Sequence, residues 1–322
     1  MIKHFKSNKL LSLSLIIMCF MIIINPTNYA KVSVDALTVW ATKVFPLLFP
    51  FFILTRLIVN YSESKQNFLD KYFSKLYNAP SGSLLTFGLS TLSGYPMGAK
   101  LICIRYDNKE IDSMSAEKML SFCSVSGPIF MLGTVGVMMF NSFSAGLIIM
   151  ISNIIASLIN GLIYRNRKSH LAQTSVNLTN KPASFSDIVY DSLISILMVG
   201  AYIIFSFLII DILNNLKILS FITHSICCVF KLNSHHDIVK SVLSGVLEIT
   251  KGCVDLGCLN ISLKLKTILA STLIGFGGFC VMLQNLGFVS KLKIKTSTII
   301  LQKTTQAAIC FVLSFLLCLI FM

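Results

Sequence analysis

Between Leu84 and Ile104 the chain reads L-L-T-F-G-L-S-T-L-S-G-Y-P-M-G-A-K-L-I-C-I, an apolar run interrupted at its middle by Ser93-Gly94-Tyr95-Pro96. Each limb is roughly eight residues, about 12 Å of helix, whereas crossing a bilayer takes about 20 apolar residues. Neither limb spans alone. Gly94 and Pro96 open the backbone ladder, and in lipid an opened ladder persists only beside protein or a watered cavity. The spacing therefore predicts a helical hairpin that enters and leaves on one side, with a kinked structural helix as the alternative. Half-helices of such a hairpin aim free backbone N–H groups at a ligand, and their positive ends favour an anion. Ser90, Thr91, Ser93 and Tyr95 supply hydroxyls around Gly94, with Lys100 one turn beyond.

Composition sets the solvent. A chain of 322 residues that is 55% hydrophobic and 12% charged belongs in a membrane. The net charge of +14 does not point to nucleic acid, because Lys and Arg fall in short clusters between apolar runs. That pattern sets orientation in the lipid bilayer. Of ten cysteines, Cys19, Cys103, Cys123, Cys280, Cys310 and Cys318 lie inside apolar runs, where Cys acts as a small hydrophobe. No disulfide framework is expected. Cys227, Cys228, Cys253 and Cys258 match no zinc spacing, and His235-His236-Asp237 reads as a solvated loop. No metal or cofactor is expected.

Along the chain, Lys3, Lys6 and Lys9 precede the apolar run Leu10 to Ile24, read as an uncleaved, signal-like first helix. Val34 to Val59 is long enough to span, with Pro46 and Pro50 set to bend it and Arg56 placed to snorkel. The connection from Asn60 to Ser81, with Lys65, Lys71 and Lys75, reads as polar and cytoplasmic. Arg105 to Lys118 reads as a charged interfacial loop and helix start. Met119 to Phe140 spans but is rich in Ser, Gly and Thr, so it packs inward or breaks near Ser126-Gly127-Pro128. Phe143 to Tyr164 spans next, and Arg165, Arg167 and Lys168 return the chain to the cytoplasm.

A linker from His170 to Ser184 divides the chain. Ile188 to Asp211 spans, and Ile218 to Phe230 is too short to cross. Val239 to Leu259 is a second interrupted run, carrying Ser244, Gly245, Glu248 and Lys251. Thr267 to Val289 spans with Gly275, Gly277 and Gly278 at its middle. Lys291, Lys293, Lys295 and Lys303 read as a cytoplasmic signature before a last span from Thr305.

The two halves carry the same order of features, and S-G-Y-P-M-G-A-K at Ser93 lies against S-G-V-L-E-I-T-K at Ser244. Charge bias makes the first half's opening span run out-to-in and the second's in-to-out. The expected fold class is thus an all-α polytopic membrane protein built as an inverted repeat with two broken hairpins. Residues 1–33 form the N-terminal helix, 34–168 the first repeat, 169–186 a cytoplasmic linker and 187–322 the second repeat. Such repeats place a solute site near the midplane. Candidate binding residues are Ser90, Thr91, Ser93, Gly94, Tyr95, Lys100, Ser126, Gly127, Ser244, Gly245, Glu248, Lys251, Gly275 and Gly277. Glu248 either binds a coupling ion or neutralises Lys251 or Lys100. Lys100 and Lys251 either meet the solute or snorkel. The glycines either unwind their helices or allow close packing. No Ser, His and Asp set gathers near the breaks, so no enzyme is expected.

V-F-P-L-L-F-P-F-F at Val44, S-G-Y-P-M-G-A-K at Ser93, L-S-F-C-S-V-S-G-P-I-F at Leu120 and G-V-L-E-I-T-K-G-C at Gly245 resemble the YlbJ (SpoVV) family of sporulation integral membrane proteins. The resemblance implies a nucleoside-recognition gate domain, similar to the hairpin-bearing core of concentrative nucleoside transporters. It also implies transport of dipicolinic acid across the outer forespore membrane. A small flat dianion suits half-helix N-termini, hydroxyls and Lys100 or Lys251, whereas a nucleoside would need Gln284, Asn285 and Glu248. A nucleoside or other solute carrier, and a non-transporting spore-membrane protein of the spore maturation A or B kind, are the alternatives. Homo-oligomerisation is left open.

Overall fold

The computed structural model describes residues 8–61, 68–166, 184–292 and 294–322. Among them are fifteen α-helices and no strand, and five segments are long and apolar enough to cross a membrane. Most of the expected linker from His170 to Ser184 lies outside the described residues, as do Lys3, Lys6, Lys65, Arg167, Lys168 and Lys293.

Helix α1 (Asn8–Ile24) turns Leu13, Ile16, Phe20 and Ile23 outward, the surface of a segment that lipid covers. Asn25 ends it and caps α2 (Pro26–Val39) through its side chain, with Pro26 in the first turn where a missing N–H costs nothing. The second span thus starts at Pro26, ahead of the Val34 expected. It runs on through a π turn at Trp40–Val44 into α3 (Phe45–Tyr61). Pro46 lacks the N–H that an unbroken ladder needs, and the widened turn just before it absorbs the defect.

The connection read as polar holds a helix, α4 (Phe68–Tyr77). Its Phe68, Leu69, Tyr72 and Leu76 face outward beside Lys71 and Lys75, while Asp70 and Tyr77 are buried. Alternating charge and bulk hid a helix that suits an interface. Asp70 accepts from the backbone N–H of Gly82 at 2.7 Å and of Leu84 at 3.1 Å, fixing the start of the next helix.

The interrupted run forms α5 (Ser83–Ser93) and α6 (Met97–Asp107), packed antiparallel. Arg105 clamps their open end. It pairs with Glu110 at 3.1 Å and donates to Thr86 Oγ1 and the Ser81 carbonyl. Within the stretch expected at the interface, Arg105, Glu110 and Lys118 are buried, whereas Asp107, Asn108 and Lys109 are exposed. Helix α7 (Ser113–Cys123) is capped by Asp112. The backbone then leaves helical geometry over Ser124 to Gly127, before a π-helical segment, Phe130–Met139. The break expected near Ser126-Gly127-Pro128 is present. Helix α8 (Phe143–Ile163) follows, capped by Ser142.

Helix α9 (Phe185–Asn215) opens on a capping box between Ser184 and Asp187. It runs antiparallel to α2 and α3: Asn28 donates to Asp211 at one end and Arg56 pairs with Asp191 at the other. Gly200 lets the indole of Trp40 press on the α9 backbone, where an added Cβ would sit 2.7 Å from the ring. Helix α10 (Ile218–Val229) is short, as expected. The second interrupted run forms α11 (His236–Leu247) and α12 (Ile249–Cys258), which touch at Gly245 and Gly252. Helices α13 (Leu263–Phe276) and α14 (Gly278–Val289) are separated by Gly277 at φ +88°. Helix α15 (Thr296–Phe321) closes the chain and begins well ahead of the Thr305 expected.

Helices α8 and α15 run antiparallel, and buried polar groups hold α8 to α7, α13 and α15. Asn160 donates to the carbonyls of Ser121 and Gln302, and Asn153 donates to Ser271 Oγ at 3.1 Å. In a bilayer such contacts replace the hydrophobic drive between helices, each contributing about 0.6 kcal/mol.

Candidate functional site

Two adjoining cavities lie between the first hairpin, α3, α9 and α14, sharing Phe52, Ser93, Tyr95, Val199 and Gln284 as walls. The larger, about 270 Å³, is polar where Arg56, Ser93, Tyr95, Lys100, Ser195 and Gln284 meet and apolar where Phe52, Met198 and Phe288 face it. The smaller, about 70 Å³, reaches inward to Ser126, Gly127, Glu248 and Thr250. Tips of both hairpins therefore border the smaller cavity.

The first tip is built by close backbone approach. Gly94 takes φ +71°, and a Cβ there would lie 2.5 Å from the Gly127 nitrogen. Only a hydrogen fits, so the hairpin tip seats directly on the break after α7. Pro96 and Met97 line the larger cavity, and the start of α6 has no side-chain cap. The Met97 N–H bonds the Gly94 carbonyl at 2.9 Å, and the helix dipole is positive at this end. Lys100 lines the same cavity, and among the described residues no hydrogen bond or ion pair holds its ammonium.

The second tip differs. Glu248, 4% exposed, accepts from the Lys251 backbone N–H at 2.6 Å and caps α12. That carboxylate fills the helix end expected to offer free N–H groups. The expected Glu248–Lys251 side-chain pair is not formed: the Lys251 ammonium instead bonds Asp255 at 2.7 Å and lies 5.4 Å from the Phe207 ring centre. An i,i+4 partner one turn along the same helix is the shorter reach.

Of the other candidates, Ser90 is buried and donates to Thr86, Ser244 and Gly245 pack inside the second hairpin, and Gly275 presses on Cys310 of α15. These residues, with Thr91, Lys251 and Gly277, do not line either cavity. The glycines divide: Gly275 allows close packing, whereas Gly277 in left-handed geometry breaks the helix.

Arg56 reaches across to α9. Its guanidinium bonds Asp191 and Ser195, both at 2.8 Å, as a wall of the larger cavity. Lys303 is also not a cytoplasmic lysine; it lies inside α15, 2% exposed. Its ammonium donates to Tyr95 Oη, the Ser124 carbonyl and Gln306 Oε1. Gln302, Lys303 and Gln306 share one helical face, a polar stripe at i, i+1 and i+4 that marks an inward face. Ser124 joins the same cluster, accepting from Asn285 Nδ2 at 3.3 Å. Asn285 thus turns to the α7 break, while Gln284 faces both cavities.

No family model matches the chain, and no solved structure matches it. Over 313 residues it is 28% identical to "Sporulation integral membrane protein YlbJ" of Bacillus subtilis (strain 168), covering 88% of this chain and 76% of the relative. That similarity supports the family assignment that the four motifs carry, and with the spanning helices it makes the chain an integral membrane protein.

Proposed function

We propose that this chain, a member of the YlbJ family, carries a small organic anion across the membrane through the larger cavity. Dipicolinate is the solute and the outer forespore membrane the location that the family resemblance implies. The observation that carries the reading is Lys100: among the described residues no hydrogen bond or ion pair holds its ammonium, which lines the larger cavity beside the start of α6. A buried charge is costly unless paired, and an anionic solute supplies the missing partner. The apolar walls at Phe52, Met198 and Phe288 suit the faces of a flat ring.

Alternating access is supported by the order of elements. A long helix, a short one, a hairpin, a broken helix and a long helix occur from α2 to α8 and again from α9 to α15. The opening helices of the two sets are antiparallel, as are the closing ones, α8 and α15. This order and these directions support our reading of an inverted repeat, in which the solute would be held between the halves.

Gln284 and Glu248 in the smaller cavity favour one second reading, a neutral nucleoside held by amide and carboxylate. Vesicles containing the purified protein, given labelled dipicolinate or labelled nucleosides, separate the two. Saturable dipicolinate uptake that unlabelled dipicolinate suppresses and nucleosides do not is the expected result. Nucleoside uptake alone would favour the second reading, and no uptake of either would favour a structural spore-membrane protein.

A further inference from the structure

Behind the cavity wall, Lys303 holds a position that solute binding does not require. Its ammonium meets three oxygens: the hydroxyl of Tyr95 at 2.7 Å, the carbonyl of Ser124 at 2.7 Å and the side-chain oxygen of Gln306 at 2.9 Å. Three acceptors match the three donors of a lysine ammonium. No carboxylate pairs with it among the described residues. A charge held in this way, deep in a helical membrane protein, is expensive and is not retained for packing.

The oxygens come from three separate elements. Ser124 ends α7, and its carbonyl, released from the helix ladder, also accepts from Tyr95 Oη at 3.2 Å. Tyr95 is on the tip of the first hairpin, and Gln306 is one turn from Lys303 on α15. A carbonyl at an unwound helix, a hydroxyl and an amide oxygen form the kind of ligand set that hard cations take in membrane carriers. The lysine stem reaches them past Gly277, where an added Cβ would lie 3.1 Å from Lys303 Cε and 3.4 Å from Tyr95 Oη. One side chain thus touches the hairpin tip and the breaks of both interrupted helices.

We propose that Lys303 is a resident cation: its ammonium fills a cation site made by Tyr95, Ser124 and Gln306, and latches the first hairpin tip without an exchangeable ion. Tyr95 also walls the solute cavity, whereas Ser124, Lys303 and Gln306 line neither cavity, and the latch does not depend on which solute moves. Removing the side chain leaves a cation site that a small monovalent cation can enter. Lys303→Ala deletes the atoms of a propylammonium ion, so that ion is the matched probe.

The test reads folding, so a failed carrier reading leaves it intact. The full chain, as wild type and Lys303→Ala, is purified in detergent. Its thermal unfolding midpoint is followed at matched ionic strength in sodium, potassium, propylammonium and tetramethylammonium chlorides. The expected result is a Lys303→Ala midpoint lower by about 5 °C or more, raised saturably by propylammonium or sodium and not by tetramethylammonium, with the wild-type midpoint the same in all four. A Lys303→Ala protein that stays monodisperse and ignores every cation overturns the proposal. If that variant yields no folded protein, the wild type decides: a midpoint unmoved by exchange among the salts agrees with a filled site. A selective rise in sodium means an exchangeable ion and overturns it.

Discussion

The ammonium of Lys303 and the phenolic oxygen of Tyr95 are 208 residues apart in the chain and 2.7 Å apart in space. The contact ties the final helix to the tip of the first hairpin, and Tyr95 in turn forms a wall shared by both cavities. Tyr95→Phe keeps the ring and removes one acceptor from a buried cation. The expected loss is about 1–3 kcal/mol of stability, read as a lower unfolding midpoint, with the protein still inserted in the membrane.

Lys100→Met keeps the aliphatic stem and removes the unpaired charge from the larger cavity. A hydrogen bond to a charged group contributes about 1.5–3 kcal/mol, so the dipicolinate concentration for half-maximal uptake is expected to rise about 10- to 100-fold. The amount of folded protein should hold, because no other group depends on Lys100. Arg56→Met is expected to lower both uptake and stability, since it also strands Asp191.

Gly94 and Gly88 lie on the same helical hairpin with opposite expected responses to alanine. At Gly94 the positive φ and the 2.5 Å approach to the Gly127 nitrogen leave no room for a methyl group. Gly94→Ala is expected to lose several kcal/mol, on the order of the strain of a forced left-handed residue plus a backbone shift. Around Gly88 nothing lies within 4 Å of an added Cβ. There alanine should raise stability by up to about 1 kcal/mol through helix propensity. Unfolding midpoints of the two variants check both signs.

Glu248 caps α12 with its carboxylate, and two substitutions separate its shape from its charge. Glu248→Gln keeps a carbonyl oxygen able to accept from the Lys251 N–H, and stability should change little. Glu248→Ala removes the cap at a cost of about 1 kcal/mol. If the charge serves transport, Glu248→Gln lowers uptake at an unchanged unfolding midpoint; uptake equal to wild type assigns Glu248 to capping alone.

Much of the fold was legible because lipid leaves few options. Uninterrupted apolar runs gave the spans, and Gly94, Gly127 and Gly277 marked the breaks, since an opened backbone must be sheltered. What was not legible depends on partners distant in the chain. Lys303 sits in a row of lysines that charge bias assigns to the cytoplasm, and only the fold brings Ser124 and Tyr95 to it. Arg56 similarly needs Asp191, 135 residues on, to become a cavity wall. Helix α4 was missed because lysines interleave its apolar face, so that it reads as a polar connection. Lys251 stays open in the sequence between solute and interface, and in the fold Asp255, one turn away, takes its ammonium.

Whether the two hairpins enter from opposite faces is tested most directly by the sidedness of their open ends. In a variant with exposed Cys19, Cys228 and Cys258 changed to serine, single cysteines replace exposed Asn108 beside the first hairpin and exposed Asn260 beside the second. Both are probed with a membrane-impermeant maleimide in right-side-out and inverted vesicles. The account predicts Asn108→Cys labelled only from the cytoplasmic face and Asn260→Cys only from the opposite one. Labelling of both from the same face would contradict it.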